Sequence, residues 1–267
     1  MRKIGLIVIF SLLLLPLLSS CKDKKADQKE DAVTAVEMEP ETEEAPMNEL
    51  TSAEIADGWV MLFDGKTSES WRGYKKEDFP AGWEIVDGTM HMPGSGRGEA
   101  GAVNGGDIIF DKKFKNFKLR LEWKIGEGGN SGIFYLAQEE LDKIWRTAPE
   151  MQVLDNERHI DAELGKDGNH QAGSLYDLIP AKPQNAKPSG EWNQVELIVY
   201  KGTVIHKQNG EKVVEYHLWT PEWNEMIKES KFPTYNPNWA EVASEGYIGL
   251  QDHGDDVWFR NIKIKEL

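Results

Sequence analysis

Residues 117–125 read FKLRLEWKI, and this stretch decides the class of the fold. Apolar side chains stand at every second position, from Phe117 to Ile125, and charged side chains stand between them. Successive side chains of a β-strand point to opposite faces of a sheet, so the alternation predicts a strand with one face in a core and the other in solvent.

The same two-residue period recurs on both sides of this strand, whereas helical periodicity is scarce after Gly58. Residues 83–92, WEIVDGTMHM, predict a hairpin that turns at Asp87-Gly88. Residues 192–216 predict a three-stranded meander with glycine turns. Further strands are expected at residues 59–63, 133–136, 150–154, 247–251 and 257–264.

Only one convincing helix is visible after Gly58: it starts at Thr220, whose hydroxyl can cap it, with Pro221 in its first turn. A parallel sheet would need helices between its strands, and the sequence lacks them. The prediction is therefore an all-β fold, a two-sheet antiparallel sandwich of jelly-roll type with one or two short helices.

The first twenty residues have the features of an export signal. Arg2 and Lys3 precede the apolar run 4–18, and Leu18-Ser19-Ser20 precedes Cys21, the sole cysteine. This pattern resembles a bacterial lipobox, so residues 1–20 are predicted to be a lipoprotein signal peptide and Cys21 to be lipidated; an ordinary secretory signal is the alternative. The mature protein is then expected in the bacterial cell envelope, held on a membrane by its lipid and facing the periplasm or the cell surface.

Residues 21–57 are predicted to be an acidic, disordered tether, because few aliphatic and no aromatic side chains are available to bury. Thr51-Ser52-Ala53-Glu54 has the spacing of a capping box and predicts one short helix near its end. The remaining residues, 58–267, have a normal length for one β-sandwich domain.

The composition excludes several classes of function. The net charge is −15 and there is no basic stripe, which argues against nucleic acid as a partner. With Cys21 in the anchor, no cysteine is left for a disulfide, a thiolate nucleophile or a cysteine-based metal site.

Strand alternation predicts which polar side chains share a face. In residues 150–153 the apolar Met151 and Val153 point inward, which puts Glu150 and Gln152 on the outer face. Pooled in one groove, the outer faces of three strands would offer the planar hydrogen-bonding groups and the indole that suit a sugar. A merely solvated face is the alternative for each residue alone. The residues concerned are Glu150, Gln152, Tyr247, Gln251, His253, Trp258 and Arg260.

The loop after residue 154 is rich in acids and histidines. Such side chains can bind a divalent cation, although no pair has a spacing diagnostic of a metal. A divalent cation is thus a possible cofactor and not a required one. The candidate ligands are Asp155, Glu157, His159, Asp161, Glu163, Asp167 and His170.

A series of short motifs follows in order along the chain: FDGK at 63–66 with Trp71, WEIVDG at 83–88, GNSGI at 129–133, EMQVLD at 150–155, GSLY at 173–176, GEWN at 190–193, QNG at 208–210, GLQDH at 249–253 and FRNI at 259–262. The ordered set resembles the 3-keto-disaccharide hydrolase domain family, whose fold is similar to concanavalin A-like lectins and glucanases. The resemblance extends from about residue 59 to residue 267.

The resemblance implies a substrate whose glucose-like ring carries a ketone at C3. Such a ketone acidifies the proton on C2, so that the C1–O bond can be cleaved either by elimination after proton removal, with later addition of water, or by direct hydrolysis. Glu150 or His170 is expected as the base, and His253 as the acid or the partner of the enolate. Substrate binding is expected from Asn130, Gln152, Tyr176, Gln251, Trp258 and Arg260, and Asp155 is expected to orient a histidine or bind a cation.

One motif departs from the family pattern. Leu136-Ala137 follow the Asn-Ser-Gly-Ile motif at positions near which family members often carry an arginine. Arg146 or Arg260 is the expected substitute.

Two other functions stay open on the sequence alone: a non-catalytic carbohydrate-binding lipoprotein, and a conventional glycosidase with two carboxylates. A lectin does not need clustered ionisable side chains. The candidates Glu150, Asp155, His170 and His253 therefore favour an enzyme that acts on 3-keto-glycosides.

Overall fold

The computed structural model describes residues 46–98 and 101–267. Cys21, the predicted signal peptide and the predicted tether as far as residue 45 lie outside these residues. Within the described ranges no helix is long and apolar enough to cross a membrane.

The alternating stretches of the sequence form antiparallel strands, and β6 alternates between buried and partly exposed side chains along its whole length, as predicted. The strands of the described residues are β1 Val60–Met61, β2 Trp71–Gly73, β3 Glu84–Val86, β4 Thr89–Met92, β5 Ile108–Phe110, β6 Phe117–Ile125, β7 Asn130–Ala137, β8 Glu150–Leu154, β9 Asn193–Tyr200, β10 Thr203–Gln208, β11 Glu211–His217, β12 Tyr247–Leu250 and β13 Val257–Glu266. The helices are α1 Ser52–Ala56 and α2 Pro221–Lys228, with 3₁₀ turns at Ile144–Arg146, Ile160–Glu163 and Phe232–Thr234.

These strands build two sheets. One has eight strands in the order β11-β10-β9-β6-β13-β4-β3, with β1 paired to β13, and the other has five in the order β2-β5-β12-β7-β8. Inward side chains of both sheets, among them Trp123, Phe259, Ile133 and Met151, share one apolar core. Each large apolar side chain buried in this way stabilises the fold by about 1.5–3 kcal/mol. The predicted two-sheet sandwich is confirmed.

The local signals also hold. Asp87 and Gly88 both have positive φ, 48° and 72°, as the predicted two-residue hairpin turn requires. The Thr220 hydroxyl accepts a hydrogen bond of 3.1 Å from the Trp223 backbone N–H and caps α2, whose Trp223 and Ile227 are buried. The first predicted strand is shorter than residues 59–63, because only Val60 and Met61 pair with β13.

A chain of polar groups crosses the core. The Tyr135 hydroxyl lies 2.8 Å from His206 Nε2 and 2.7 Å from the Tyr216 hydroxyl, and His206 Nδ1 lies 3.0 Å from the Gly173 carbonyl oxygen. A carbonyl only accepts, so Nδ1 carries the proton and Nε2 accepts from Tyr135. Burial lowers the pKa of His206 to about 4, which keeps the imidazole neutral.

The folded part of the chain begins upstream of the predicted boundary at Gly58. Asn48 is buried and exchanges two hydrogen bonds with Asn261: the Asn48 N–H donates to Asn261 Oδ1 at 2.7 Å, and the Asn261 N–H donates to Asn48 Oδ1 at 2.8 Å. Glu54 of α1 accepts a hydrogen bond from Lys263 of β13. Residues 46–57 are thus held by polar contacts, which the low apolar content of the segment does not reveal.

Candidate active site

The largest set of predicted site residues meets on the outer face of the five-stranded sheet, in a cleft of about 600 Å³. A volume of this size is typical of small-molecule sites. Glu150 and Gln152 of β8 line it together with Asn130 of β7 and with Gln251 and His253, which follow β12. The expected meeting of Glu150 and Gln152 with Gln251 and His253 is therefore observed.

The Glu150 carboxyl lies on the floor of this cleft, over a glycine. Register pairs Gly132 with Gln152 and Phe134 with Glu150, and a Cβ built on Gly132 would lie 2.0 Å from Glu150 Oε1. Only a residue without a side chain leaves room for the carboxyl there. Glu150 is 7% exposed. Burial, and the charges of Asp107 and Asp161, raise its pKa to about 8 against the opposing charges of Lys231 and His170. The carboxyl is therefore mostly protonated at neutral pH.

Asp107 is a second carboxyl of the cleft, and sequence reasoning missed it. It immediately precedes β5, and its Oδ1 accepts a hydrogen bond of 3.1 Å from the Asp252 backbone N–H. Desolvation and the nearby Asp252 carboxylate raise the pKa of Asp107 to about 7, although that hydrogen bond opposes the shift. No local sequence signal marks this residue, since an aspartate before a strand is common in turns.

His253 is oriented by a carboxylate. Its Nδ1 lies 3.2 Å from Asp255 Oδ2, which also accepts a hydrogen bond of 3.1 Å from the Asn130 backbone N–H. A carboxylate accepts, so Nδ1 of the neutral ring donates and Nε2 keeps a free lone pair. The pair has the arrangement of a general base with its orienting acid.

His159 faces His253 with a ring-centroid distance of 5.9 Å. Its Nδ1 accepts a hydrogen bond of 3.1 Å from the Asp161 backbone N–H and so caps the 3₁₀ turn Ile160–Glu163. Burial, helped by the charge of His253, lowers the pKa of His159. The ring is then neutral, with its proton on Nε2.

His159, His253 and Asp255 are also the side chains of the described residues that could hold a metal ion, since each offers one ligand atom within 4.8 Å of the others. Of the predicted cation ligands, only His159 belongs to this group. Ligand atoms around a cation bound at 2.0–2.2 Å lie about 3–4 Å apart, so binding would draw the three together.

His170 does not line the cleft. Its Nδ1 lies 2.8 Å from Asp161 Oδ1 and its Nε2 lies 2.7 Å from Asp177 Oδ1. Burial disfavours the charged ring, but the two carboxylates outweigh it and raise the pKa of His170 to about 9. A doubly protonated ring has no lone pair for a proton, so its predicted role as the base is not supported. It instead ties together the loop after β8, which we call the wall loop because its residues Ile160, Asp161 and Leu164 form one wall of the cleft.

Three amide side chains and one phenol of the predicted set do line the cleft, namely Asn130, Gln152, Gln251 and Tyr176. Asn130 Oδ1 and Gln251 Oε1 are buried without a hydrogen-bond partner in the described structure, which leaves both atoms free to bind a ligand. Lys231, a residue missed by sequence reasoning, donates a hydrogen bond of 3.0 Å to the Tyr176 hydroxyl. Burial and the charges of Asp161 and Glu150 raise the pKa of Tyr176, so the phenol stays protonated.

Asp155 has a structural role at the start of the loop after β8. Its carboxylate accepts hydrogen bonds of 2.8 Å from the Gly128 N–H and 3.1 Å from the Glu157 N–H, and it pairs with Arg158. Its side chain neither contacts a histidine nor lines the cleft, so the two predicted roles are not observed. Turn formation accounts for a carboxylate at this position.

Trp258 and Arg260 lie on the other sheet. Both are on β13, where Trp258 stacks on His91 at a centroid distance of 4.5 Å and Arg260 donates to Glu122 at 2.7 Å. The prediction that they join the site is wrong, because alternation reveals the face of a strand but not the sheet to which it belongs. Of the two arginines considered as substitutes, Arg146 lines the cleft and Arg260 does not.

Tyr247 also lies away from the cleft. The register of β12 with β7 shifts between Tyr247 and Gly249, and Tyr247 packs beneath Arg72 and Lys113. Its ring packs on a cluster that contains Phe134 and Ile109, while Ile248 and Leu250 point into the main core, so Tyr247 lies on the predicted outer face but does not line the cleft with Gln251 and His253.

Comparisons with known proteins show a family match and several similar proteins. A family model described as a 3-keto-alpha-glucoside-1,2-lyase-like domain matches residues 58–265. A protein of Bacteroides thetaiotaomicron named 3-keto-disaccharide hydrolase is 50% identical over 273 residues, which cover 94% of each chain. Two solved structures from Parabacteroides distasonis, both assigned as glycosyl hydrolases, are similar in fold. One is 31% identical with a TM-score of 0.74 and covers 83% of this chain and 100% of its own. The other is 26% identical with a TM-score of 0.56 and covers 74% and 99%.

Proposed function

Because the chain belongs to the family of 3-keto-alpha-glucoside-1,2-lyase-like domains, we propose that it is an enzyme that cleaves the glycosidic bond of 3-keto-glycosides. One observation carries the chemistry. A protonated carboxyl, Glu150, and an imidazole with a free lone pair, His253, line the same cleft. A protonated carboxyl can donate a proton, and an imidazole that a carboxylate orients through Nδ1 can accept one at Nε2.

His253 removes the proton from C2. The ketone at C3 acidifies this proton, and the electrons of the C2–H bond move into a C2=C3 double bond while the C3 oxygen becomes an enolate. The proton goes to His253 Nε2, and Asp255 stabilises the resulting imidazolium.

Glu150 then acts as the acid. The enolate re-forms the C3 carbonyl, a C1=C2 double bond forms, and the C1–O bond breaks with the proton of Glu150 going to the leaving oxygen. Water adds to C1 in the reverse sense: the Glu150 carboxylate takes a proton from water, and His253 returns its proton to C2. The net reaction is hydrolysis, and both residues return to their initial protonation states.

The developing enolate needs a donor or a cation nearby, since charge that forms in a low-dielectric cleft is costly when unpaired. Lys231 and Tyr176 supply an ammonium group and a protonated phenol at the cleft wall. The unpartnered amide oxygens of Asn130 and Gln251 accept hydrogen bonds from sugar hydroxyls.

The test is incubation of the mature protein with a 3-keto-glucoside and with its unoxidised parent. We expect release of the aglycone from the keto form only. No release from either compound would contradict the proposal and favour a carbohydrate-binding protein.

Deuterated water separates the roles. Glu150→Gln is expected to keep exchange at C2 but to lose aglycone release, and His253→Ala is expected to lose both. Loss of exchange in Glu150→Gln would assign the base to Glu150. A chelator that abolishes activity, with recovery on adding a divalent cation, would make His159, His253 and Asp255 the candidate ligands of that cation and would contradict His253 as the base.

We also propose that a lipid on Cys21 anchors the mature protein to a membrane of the bacterial cell envelope. Support comes from the sequence alone: a charged start, an apolar run and Leu-Ser-Ser before the sole cysteine. In fractionated cells the wild type is expected with the membranes and Cys21→Ala in the soluble fraction. Membrane association of Cys21→Ala equal to that of the wild type would contradict the anchor.

A further inference from the structure

Part of the rim of the cleft is formed by exposed apolar side chains. Ile160 is 66% exposed, Leu164 is 51% exposed and Tyr235 is 47% exposed, and all three line the cleft. The floor carries carboxyls, amides and imidazoles instead. Large aliphatic side chains that are grouped and solvent-exposed at the edge of a polar site indicate a contact surface for an apolar part of a ligand.

This apolar wall is fixed in place. His159 caps the turn that carries Ile160, and the Asp161–His170 hydrogen bond of 2.8 Å ties the same turn to the loop behind it. Leu164 directly follows the turn and closes it through its N–H to the Asp161 carbonyl at 3.0 Å. Ile160 and Leu164 are thus exposed on an ordered element.

Two aromatic rings lie on the other side of the rim, and the Arg146 guanidinium lies 5.2 Å from the Trp145 ring centroid and 5.9 Å from that of Tyr235. The rings of Trp145 and Tyr235 meet edge to face with centroids 4.8 Å apart. Hydrogen bonds of 2.9 Å from Trp239 Nε1 to the Trp145 carbonyl and of 2.8 Å from Asn236 Nδ2 to the Arg146 carbonyl hold the two segments together. A preformed apolar surface binds a ligand without the cost of ordering side chains.

We propose that this rim is a leaving-group subsite for apolar aglycones, that is, for 3-keto-glycosides whose C1 oxygen carries an alkyl or aryl group. The inference rests on the proposed function and names its substrate class. A keto sugar on the polar floor must direct its leaving group toward the opening. The hydroxyls of a second sugar find no partner on Ile160 or Leu164, whereas an alkyl chain removes apolar surface from water on both sides.

The test uses methyl, butyl and hexyl 3-keto-glucosides. Their leaving alcohols are similar in acidity, so the chain length reports contact rather than leaving-group chemistry. We expect kcat/KM to rise about tenfold from methyl to hexyl, which corresponds to full burial of one to two of the added CH₂ groups at about fourfold each. The double substitution Ile160→Ser with Leu164→Ser is expected to reduce this ratio to about twofold.

Ile55→Ser is the matched control, because Ile55 is 63% exposed on α1 and does not line the cleft. It is expected to keep the wild-type hexyl-to-methyl ratio. Melting temperatures of all variants check the fold.

Equal kcat/KM values for the three glucosides in the wild type would overturn the subsite. An unchanged hexyl-to-methyl ratio of kcat/KM in the double variant would overturn it as well. Failure to cleave any member of the series would count against the proposed function instead. In that case the same ratio, measured by calorimetry as the affinity for unoxidised hexyl and methyl glucosides, tests the subsite without catalysis.

Discussion

At the scale of single residues, the Glu150 carboxyl is held in a state that suits catalysis and costs stability. Its pKa is about 8 in the folded protein and near 4.5 in an unfolded chain. Between these values the unfolded chain ionises and the folded protein does not, so the folded state loses stability as pH rises from about 4.5 to about 8.

Glu150 as the acid gives a pH dependence with a definite sign. The protonated form is active, so kcat/KM is expected to fall as pH rises through about 8. Glu150→Gln is expected to lose activity by about 100-fold or more. The same variant is expected to melt at a higher temperature than the wild type at pH 8, since it has no buried charge to form. A wild-type activity that increases through pH 8 would show that the carboxylate is the active form.

Gly132 controls the position of that carboxyl. In Gly132→Ala the new Cβ would lie 2.0 Å from Glu150 Oε1, so the carboxyl must move. A displacement of about 1 Å at a reacting group costs on the order of 100-fold in rate, which we expect in kcat. Gly249→Ala is the control, because its Cβ would meet the tip of the Ile144 side chain at 2.6 Å and the Ile108 carbonyl oxygen at 3.3 Å but not the Glu150 carboxyl. Equal rate losses in both variants would indicate a general effect on the sheet.

At the scale of elements, the wall loop depends on the charged His170. Its pKa is raised to about 9 from an unfolded value near 6.5. The stabilisation from its two carboxylates is therefore complete below about pH 6.5 and is lost as pH rises through about 9.

His170→Ala is expected to destabilise the protein by about 3 kcal/mol at pH 6, because Asp161 and Asp177 lose the charge that compensates them. The difference from the wild type is expected to shrink toward pH 9. Urea unfolding at several pH values measures it. A difference that stays constant with pH would mean that His170 acts by packing alone.

Strand alternation predicts the face to which a side chain points, but it does not predict the sheet to which its strand belongs. It grouped Glu150, Gln152, Gln251 and His253 correctly around one cleft, although Gln251 and His253 lie just beyond the end of β12. It misplaced Trp258 and Arg260, since pairing in the eight-stranded sheet is a long-range choice that the local pattern does not contain. Asp107 and Lys231 could not be predicted for a related reason. Asp107 precedes β5 and Lys231 lies in the segment after α2, where strand alternation gives no information.

At the scale of the whole molecule, residues 46–57 attach to β13 through hydrogen bonds from Asn48 and Glu54. Asn48→Ala removes side-chain hydrogen bonds to the Asn261 N–H and to the Gly88 carbonyl. Leaving these buried groups unpaired is expected to cost about 1–3 kcal/mol in the free energy of unfolding. Glu49→Ala, at an exposed neighbouring position, is the control and is expected to change little. Equal stability of the two variants would mean that the segment is only loosely attached.

The overall architecture was readable from the sequence because a β-sandwich repeats one simple pattern, apolar in and polar out, along every strand such as β6. Hairpin and capping signals at Asp87-Gly88 and Thr220 are equally local. The start of the folded domain was not readable, because Asn48 and Glu54 bind the last strand through polar contacts that span most of the chain.

The polar chain of Tyr135, His206 and Tyr216 makes the stability of the sandwich depend on pH below neutrality. His206 has a pKa of about 4 in place and near 6.5 once unfolded, so its own contribution to stability falls as pH falls from about 6.5 to about 4, opposite in sign to that of Glu150. His206→Phe is expected to remove this slope between pH 6.5 and pH 4 in urea unfolding, and an unchanged slope would assign it to other groups. Acid would then act on this protein from its centre, because protonation of His206 removes the acceptor of the Tyr135 hydroxyl between the sheets.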